Sequence, residues 1–221
     1  MDLARNLIGR INVGDSLTRT AASRPDQLAV VDGDRRFTYA AFNGYVNRLA
    51  HGLAGRGYRR GSVLALASGN SADFLAVYYA CAKLGVVCVP VNLGWRPDEV
   101  AYVLGHSQAR GIVVETQLVA GLQDAIATVS GVTDVIVAPD GLQALTAHDH
   151  TAEPQVFVDD RDALSYLYTS GTTSFPKGVV ASHVAIYLES MSGALDSGWR
   201  ADDKFAAMMP MFHTAQLNAF C

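Results

Sequence analysis

Short, continuously apolar runs alternate with segments of helical periodicity along most of the 221 residues. The apolar runs are typical of strands buried on both faces, and they lie at residues 62–68, 86–91, 111–115 and 133–138. The helical segments carry apolar residues at spacings of three and four, and they cover residues 39–54, 72–84, 98–105 and 117–129. Strands and helices that alternate at this length form βαβ units. The sequence therefore predicts an α/β fold with a mostly parallel sheet and flanking helices.

Single residues mark where these elements begin and end. Thr38 and Ser71 are predicted helix N-caps, because a hydroxyl can accept a hydrogen bond from the first helical turn. Gly85 is expected to end the second helix in a left-handed conformation. Pro90 has no backbone N–H, which favours a position at the edge of a sheet or at the end of a strand.

Two segments stand outside the alternation. Residues 28–39 are predicted to form a hairpin with its turn at residues 32–33. Residues 139–162 contain prolines, a glycine and an acidic cluster, and we expect a surface excursion there. Within it, His148 and His150 could bind a metal as a His-x-His pair. No third ligand lies nearby in the sequence, so a solvated loop is the favoured interpretation.

Composition excludes several classes of protein. Half of the residues are hydrophobic and 17% are charged, which supplies a sizeable core and excludes a disordered chain. The 17 basic and 21 acidic residues give a net charge of −4, which offers no footprint for nucleic acid or an anionic membrane surface. Cys81, Cys88 and Cys221 form no CxxC motif and are typical of thiols in a reducing compartment. With neither a secretory signal nor a membrane-spanning stretch expected, the predicted location is cytoplasmic.

A loop rich in hydroxyl groups and glycine follows a further apolar run at residues 163–168. Its candidate phosphate-binding residues are Thr169, Ser170, Gly171, Thr172, Thr173, Ser174, Lys177 and Gly178. Glycine lets the backbone approach an anion, hydroxyl groups donate hydrogen bonds, and Lys177 adds a positive charge. This combination suits a polyphosphate. The alternative is an ordinary surface turn, since the same residue types favour turns.

Two common nucleotide-binding motifs are excluded. The loop reads Pro-Lys-Gly where a Walker A motif requires Gly-Lys-Ser/Thr. The glycines of residues 55–61 follow a helix rather than a strand, which is the wrong place for a dinucleotide-binding fingerprint. A kinase or a nicotinamide-dependent dehydrogenase is therefore a poor explanation of this sequence.

The segment YTSGTTSFPKGVVASH, residues 168–183, closely resembles the signature loop of the adenylate-forming (AMP-binding) enzymes. That family includes acyl- and aryl-CoA synthetases, peptide-synthetase adenylation domains and luciferases. Three further blocks resemble conserved family segments in the same order, and they lie at residues 37–53, 83–110 and 208–216. Ser174 departs from the glycine that is usual at its position.

The resemblance implies both a fold and a reaction. Residues 1–221 would be the first half of the family's large N-terminal domain, without the later part of that domain or the small C-terminal domain. ATP, with Mg²⁺, would activate a carboxylic acid as an acyl-adenylate, which then passes to coenzyme A. Residues 169–174, Lys177 and Gly178 would hold the ATP phosphates. His213 would line the acyl pocket or gate the active site, and its alternative is a structural role at a strand end.

The identity of the acid and the activity of the chain by itself are further expectations. Residues 91–107 and 211–218 resemble fatty acyl-CoA synthetases more than peptide-synthetase domains, which favours a fatty acid over an aryl or amino acid. The family's adenine, ribose, magnesium and catalytic-lysine motifs come later, so we expect a truncated and inactive chain with no assigned catalytic residue or metal ligand. A non-catalytic half-length module that binds nucleotide or an acyl group is the alternative. Apolar surface left open by truncation would favour a homodimer.

Overall fold

A computed structural model describes residues 11–169 and 175–221. Its helices and strands, in chain order, are α1 (Val13–Ser23), β1 (Leu28–Asp32), β2 (Arg35–Thr38), α2 (Tyr39–Gly55), β3 (Val63–Ala67), α3 (Ala72–Leu84), β4 (Val87–Pro90), α4 (Pro97–His106), β5 (Gly111–Glu115), α5 (Thr116–Ala127), β6 (Asp134–Ala138), α6 (Asp140–Leu145), β7 (Ala163–Thr169), β8 (Lys177–Ser182), α7 (His183–Asp196) and α8 (Thr214–Leu217). A short 3-10 helix, Asn218–Phe220, follows α8.

The main sheet has six strands in the order β6-β5-β3-β4-β7-β8, and β1 and β2 form a separate hairpin. All neighbours in the main sheet are parallel except β7 and β8, which are antiparallel. The predicted α/β fold with a mostly parallel sheet is therefore confirmed. The antiparallel pairing of β8 with β7 was not predicted by the periodicity of the sequence.

The helices pack in layers on both faces of the main sheet. In β3 every residue is buried, and Leu64 and Leu66 join the apolar cluster that contains α1, α2 and α3. Ala65 and Ala67 face the opposite cluster, which contains α4 and α5. Each fully buried leucine contributes on the order of 2 kcal/mol relative to exposure. Burial on both faces explains why β3 is continuously apolar in the sequence.

Helix ends follow the sequence closely. Thr38 Oγ1 accepts a hydrogen bond from the backbone N–H of Ala41 at 3.2 Å, and Ser71 Oγ accepts one from Phe74 at 3.0 Å. Gly85 ends α3 with a φ of 66°, the left-handed region that glycine adopts at little cost. All three predicted helix ends are confirmed.

One prediction near a turn is confirmed in one of its two alternatives, and another needs correction. Pro90 is the last residue of β4, as one alternative stated, but β4 lies inside the sheet between β3 and β7 and not at its edge. The first hairpin turns at Gly33 and Asp34 and not at residues 32–33, since Asp32 still pairs with Arg35. Gly33 supplies the positive φ, 57°, that such a tight turn requires.

Residues 139–162 are not a plain surface excursion. The segment contains α6, whose Leu142 joins the core, and Val158 is fully buried. Glu153 reaches inward and forms an ion pair with the ammonium group of Lys83, with 2.5 Å between Oε2 and Nζ. The prolines and acidic residues favoured a surface loop, but the segment packs against helices α2 and α3.

His148 and His150 of this segment contact a third histidine, His51, which the spacing of the sequence did not predict. His51 on α2 stacks on His150 with 3.6 Å between the ring centroids, and His148 lies edge-on to both rings. Within the described ranges, no group of three or more His, Cys, Asp or Glu side chains is arranged to hold a metal ion. None of the helices in residues 11–169 and 175–221 is long and apolar enough to cross a membrane.

Candidate functional site

The ends of the hydroxyl-rich loop lie side by side on the β7–β8 hairpin. Thr169, the last residue of β7, pairs with Lys177, the first residue of β8. Both side chains are exposed. Of the remaining candidate phosphate-binding residues, Gly178 is described, and five lie outside the described residues: Ser170, Gly171, Thr172, Thr173 and Ser174.

The connected ends of β7 and β8 lie on the side of the sheet formed by the carboxyl ends of its parallel strands, which is where ligands bind in open α/β folds. Because β3, β4, β5, β6 and β7 are parallel, their carboxyl ends lie along one edge. Thr169 and Lys177 are at that edge, as are Ser68 after β3 and Glu115 at the end of β5. The crevice outside the carboxyl ends is the usual binding place in this class of sheet.

Gly178 has a packing reason to be glycine. It pairs with Tyr168 across the hairpin, and a Cβ at position 178 would lie 2.9 Å from the Cζ of the Tyr168 ring. Such a contact is too short for any side chain, so residue 178 leaves room for the tyrosine. Geometry thus accounts for this glycine without a bound phosphate, and its part in ATP binding stays a prediction.

A cavity of about 160 Å³ lies at the same sheet edge, between the carboxyl ends of β3 and β5. Its apolar wall includes Leu66, Phe74 and Val113. At its mouth, Glu115 Oε1 accepts hydrogen bonds from Ser68 Oγ at 2.5 Å and from the Gly69 backbone at 3.0 Å. Glu115 Oε2 accepts another from the side-chain amide of Gln117. These bonds fix the carboxylate against the backbone, so it braces the loop after β3.

His213 is exposed and stands at the start of α8, where its Nδ1 accepts a hydrogen bond from the backbone of Ala215 at 3.3 Å. Residues 207–211, which lead to it, are tied to the sheet edge by Asn70 from the loop after β3. The Asn70 side-chain amide donates to the carbonyl oxygens of Ala207 and Met209, at 3.1 and 2.8 Å. Its Oδ1 accepts from the backbone N–H of Met211 at 2.7 Å.

Asn70 is the residue at this edge that sequence reasoning missed. Its bonds to residues 207, 209 and 211 span 137 to 141 positions, so no local pattern could reveal them. The available signal was an asparagine just after a buried strand, where side-chain amides often bond backbone groups.

We expect Asn70→Ala to raise the hydrogen-exchange rate of residues 207–211 about tenfold, because three bonds to this backbone are lost. Asn92→Ala is the matched control, since Asn92 follows β4 and its Oδ1 accepts a hydrogen bond from the nearby backbone N–H of Gly94. Exchange mass spectrometry of both variants provides the measurement. Equal exchange in the two variants would show that Asn70 does not hold this segment.

The chain is similar to known enzymes over nearly its whole length. Residues 17–221 match the family described as AMP-binding enzyme. The chain is 36% identical over 213 residues to long-chain-fatty-acid–CoA ligase FadD13 of Mycobacterium tuberculosis, covering 94% of this chain and 42% of that protein. It is 31% identical over 209 residues to crotonobetaine/carnitine–CoA ligase of Proteus mirabilis, covering 84% of this chain and 39% of that protein.

The fold is likewise similar to a solved structure. The inhibitor-bound N-terminal domain of FACL13 from Mycobacterium tuberculosis superposes with a TM-score of 0.86 at 33% identity, covering 95% of this chain and 54% of that one. The chain thus spans about two fifths of the length of the curated relatives described above.

Proposed function

Because the chain belongs to the AMP-binding enzyme family, whose signature loop its residues 168–183 resemble, we propose that it is the first part of a fatty acid–CoA ligase. In the proposed reaction, a carboxylate oxygen attacks the α-phosphorus of ATP and pyrophosphate leaves. The thiol of coenzyme A then attacks the carbonyl carbon of the acyl-adenylate, giving the thioester and AMP. Ligase relatives that cover most of this chain support an acid–thiol ligase.

The observation that carries the proposal is the pairing of Thr169 with Lys177 at the carboxyl edge of the sheet. Negative charge grows on pyrophosphate as it leaves, and an ammonium group with adjacent hydroxyl donors stabilises it. In our proposal Lys177 supplies the positive charge and Thr169 donates a hydrogen bond. Ser170, Thr172, Thr173 and Ser174 would add donors while Gly171 allows a close turn, and these roles rest on the sequence.

Mg²⁺ would accompany the ATP phosphates and offset part of their charge. The resemblance places the family's magnesium-associated glutamate in a later motif, so we assign no metal ligand within this chain. The residues present fit the remaining task of holding the phosphates, since hydroxyl, backbone N–H and ammonium groups are all donors to phosphate oxygens.

The proposed acid is a fatty acid. The chain is 36% identical to the relative that is named for long-chain fatty acids and 31% identical to the crotonobetaine/carnitine ligase. The higher identity favours a fatty acid. Exposed His213 is the candidate for contact with the acyl group, held at the sheet edge by the Asn70 bonds to the preceding segment. The three free thiols agree with a proposed cytoplasmic location.

The 221-residue chain by itself is proposed to be inactive and to associate with a second copy. β8 is the last strand of the described sheet, and its Val180 is 66% exposed. On the adjoining helix α7, Leu188 and Leu195 are 54% and 76% exposed. An apolar surface beside an open strand edge favours self-association.

Acid-dependent exchange of pyrophosphate into ATP tests the proposal directly. The longest protein encoded by the gene would be assayed with palmitate, benzoate, crotonobetaine and a mixture of amino acids, beside the 221-residue chain. Exchange with palmitate, followed by palmitoyl-CoA formation, is the expected result for the longer protein alone. Exchange with only another acid would overturn the fatty-acid assignment, and no exchange with any acid would contradict the ligase.

A further inference from the structure

One face of α4 contacts both sides of the β7–β8 hairpin. Tyr102 and His106 are four residues apart and therefore lie on the same face of the helix. His106 Nδ1 is 2.7 Å from the hydroxyl of Tyr168. Tyr102 stacks on Phe175 with 4.6 Å between the ring centroids and 24° between the planes. We call these four side chains the aromatic brace.

Through the aromatic brace, α4 contacts residues close to both ends of the candidate phosphate loop. Tyr168 immediately precedes Thr169, and Phe175 comes two residues before Lys177. The two halves of the brace also touch each other, since Tyr102 stacks on His106 with 5.3 Å between centroids. One helical turn of α4 therefore spans the hairpin at the level of the paired Thr169 and Lys177.

Tyr168 is held by more than the histidine. Its ring lies over Gly178, where a Cβ would clash, and Trp95 packs against it edge-on at 6.4 Å between centroids. Burial raises the pKa of Tyr168 to about 12, so the phenol keeps its proton at neutral pH. A protonated phenol can both donate and accept, so it can bond His106 Nδ1 in either tautomer of the ring.

We propose that Tyr102 and His106 are positioning residues for the polyphosphate of the nucleotide, acting through Phe175 and Tyr168. They hold the two ends of the loop in place before the nucleotide arrives, which lowers the ordering cost of binding. This inference rests on the proposed function of the loop. It adds α4, which carries no phosphate-binding motif, to the machinery of the site.

The brace would act on the β- and γ-phosphates and not on adenine, ribose or the α-phosphate. We therefore expect His106→Leu to weaken ATP binding about fivefold, the value of one hydrogen bond, while AMP binding is unchanged. Tyr102→Leu is expected to weaken ATP binding to a similar extent, and Tyr102→Phe to restore it because stacking is retained. Calorimetry on the longest encoded protein measures both affinities.

A double-mutant cycle isolates the bond between the histidine and the tyrosine. Tyr168→Phe keeps the ring over Gly178 and removes only the hydroxyl group. If the bond carries the effect, the pair Tyr168→Phe and His106→Leu weakens ATP binding no more than either change alone. His51→Leu is the matched control, because His51 also stacks on another ring but lies on α2, away from the hairpin.

The outcomes separate this inference from the proposed function. Equal losses of ATP and AMP affinity, or full additivity in the cycle, would indicate a general structural role and overturn the inference. Unchanged ATP affinity in all brace variants would overturn it too, provided that Lys177→Ala weakens ATP binding. If Lys177→Ala also leaves ATP affinity unchanged, the phosphate assignment fails, and the brace proposal fails with it.

Discussion

Replacement of Lys177 by alanine in the longest encoded protein is expected to lower acid-dependent pyrophosphate exchange about a hundredfold. The side chain is exposed at the first position of β8, opposite Thr169. Its proposed work is to stabilise negative charge on the leaving pyrophosphate, so its removal affects the transition state more than the fold. The melting temperature should stay within about 2 °C, since exposed substitutions change stability little.

Two further variants make the result specific. Lys204→Ala removes a charge from another exposed lysine and should leave exchange unchanged. Lys177→Arg keeps the charge but replaces a compact ammonium group by a planar guanidinium, so we expect partial activity. Exchange that survives Lys177→Ala would show that the phosphate assignment is wrong, and a large fall in melting temperature would reassign the lysine to a structural role.

The parts of the fold that were predictable depend on contacts within a few residues. Thr38 and Ser71 cap helices through the third residue along the chain, and Gly85 ends α3 through its own φ angle. β3 was recognisable because burial on both faces removes the period-two alternation. Each of these signals is complete in a window of about ten residues, so the sequence carries it locally.

What the sequence left open depends on contacts between distant residues. The position of Pro90 within the sheet follows from β7, which joins the sheet more than 70 residues later, so local chemistry gave two alternatives. Residues 139–162 resembled a surface loop because of their prolines, glycine and acidic cluster. The buried partner of Glu153, Lys83, lies 70 positions away and so gave no local signal. The same limit hid the bonds of Asn70 and the contact between His106 and Tyr168, 62 positions apart.

For the candidate site, residue chemistry and spacing identified Thr169 and Lys177, and the fold brings those two together. Two different physical causes can explain why residue 178 is glycine. Glycine suits a phosphate loop, but it also leaves room for the Tyr168 ring, which a Cβ at position 178 would force to shift. A sequence pattern cannot separate these causes, since both select the same residue.

Among the single substitutions proposed for this chain, we expect the largest loss of stability from Lys83→Met, which breaks the buried ion pair of Lys83 and Glu153. The Lys83 side chain is 3% exposed, and its Nζ has four oxygen atoms within hydrogen-bond distance, from Thr18 at 2.9 Å, Asn43 at 2.7 Å, Asn47 at 2.8 Å and Glu153 at 2.5 Å. These contacts join α1, α2, α3 and the segment after α6. Lys83→Met would leave the carboxylate of Glu153 unpaired, at an expected cost of about 3–5 kcal/mol.

The pH dependence follows from the carboxylate. Burial alone would raise the pKa of Glu153, but the Lys83 ammonium and the amides of Asn43 and Asn47 lower it overall. A depressed pKa stabilises the fold above the ordinary glutamate value of about 4.3, and this stability is lost as pH falls through the lower, folded value. Burial also lowers the pKa of Lys83, despite the attraction of Glu153. The charged form of the lysine is therefore less favourable in the folded protein than in the unfolded chain. As a result, the intact pair adds less to the free energy of unfolding than the removal of one partner would subtract from it.

Denaturant unfolding of three variants at pH 7 and pH 4 tests this account. Lys83→Met should unfold at a much lower denaturant concentration at pH 7. The difference in midpoint from the wild type should narrow at pH 4, because Glu153 of the variant, buried without the ammonium group, becomes neutral there while Glu153 of the wild type stays largely ionised. Lys83→Met combined with Glu153→Leu should be more stable than Lys83→Met alone, because no buried charge is left unpaired. Arg96→Ala is the control, since it breaks an exposed ion pair with Asp98 and should shift neither midpoint. A Lys83→Met variant as stable as the wild type would mean that Glu153 is solvated without its partner, and that the segment after α6 is not held by this ion pair.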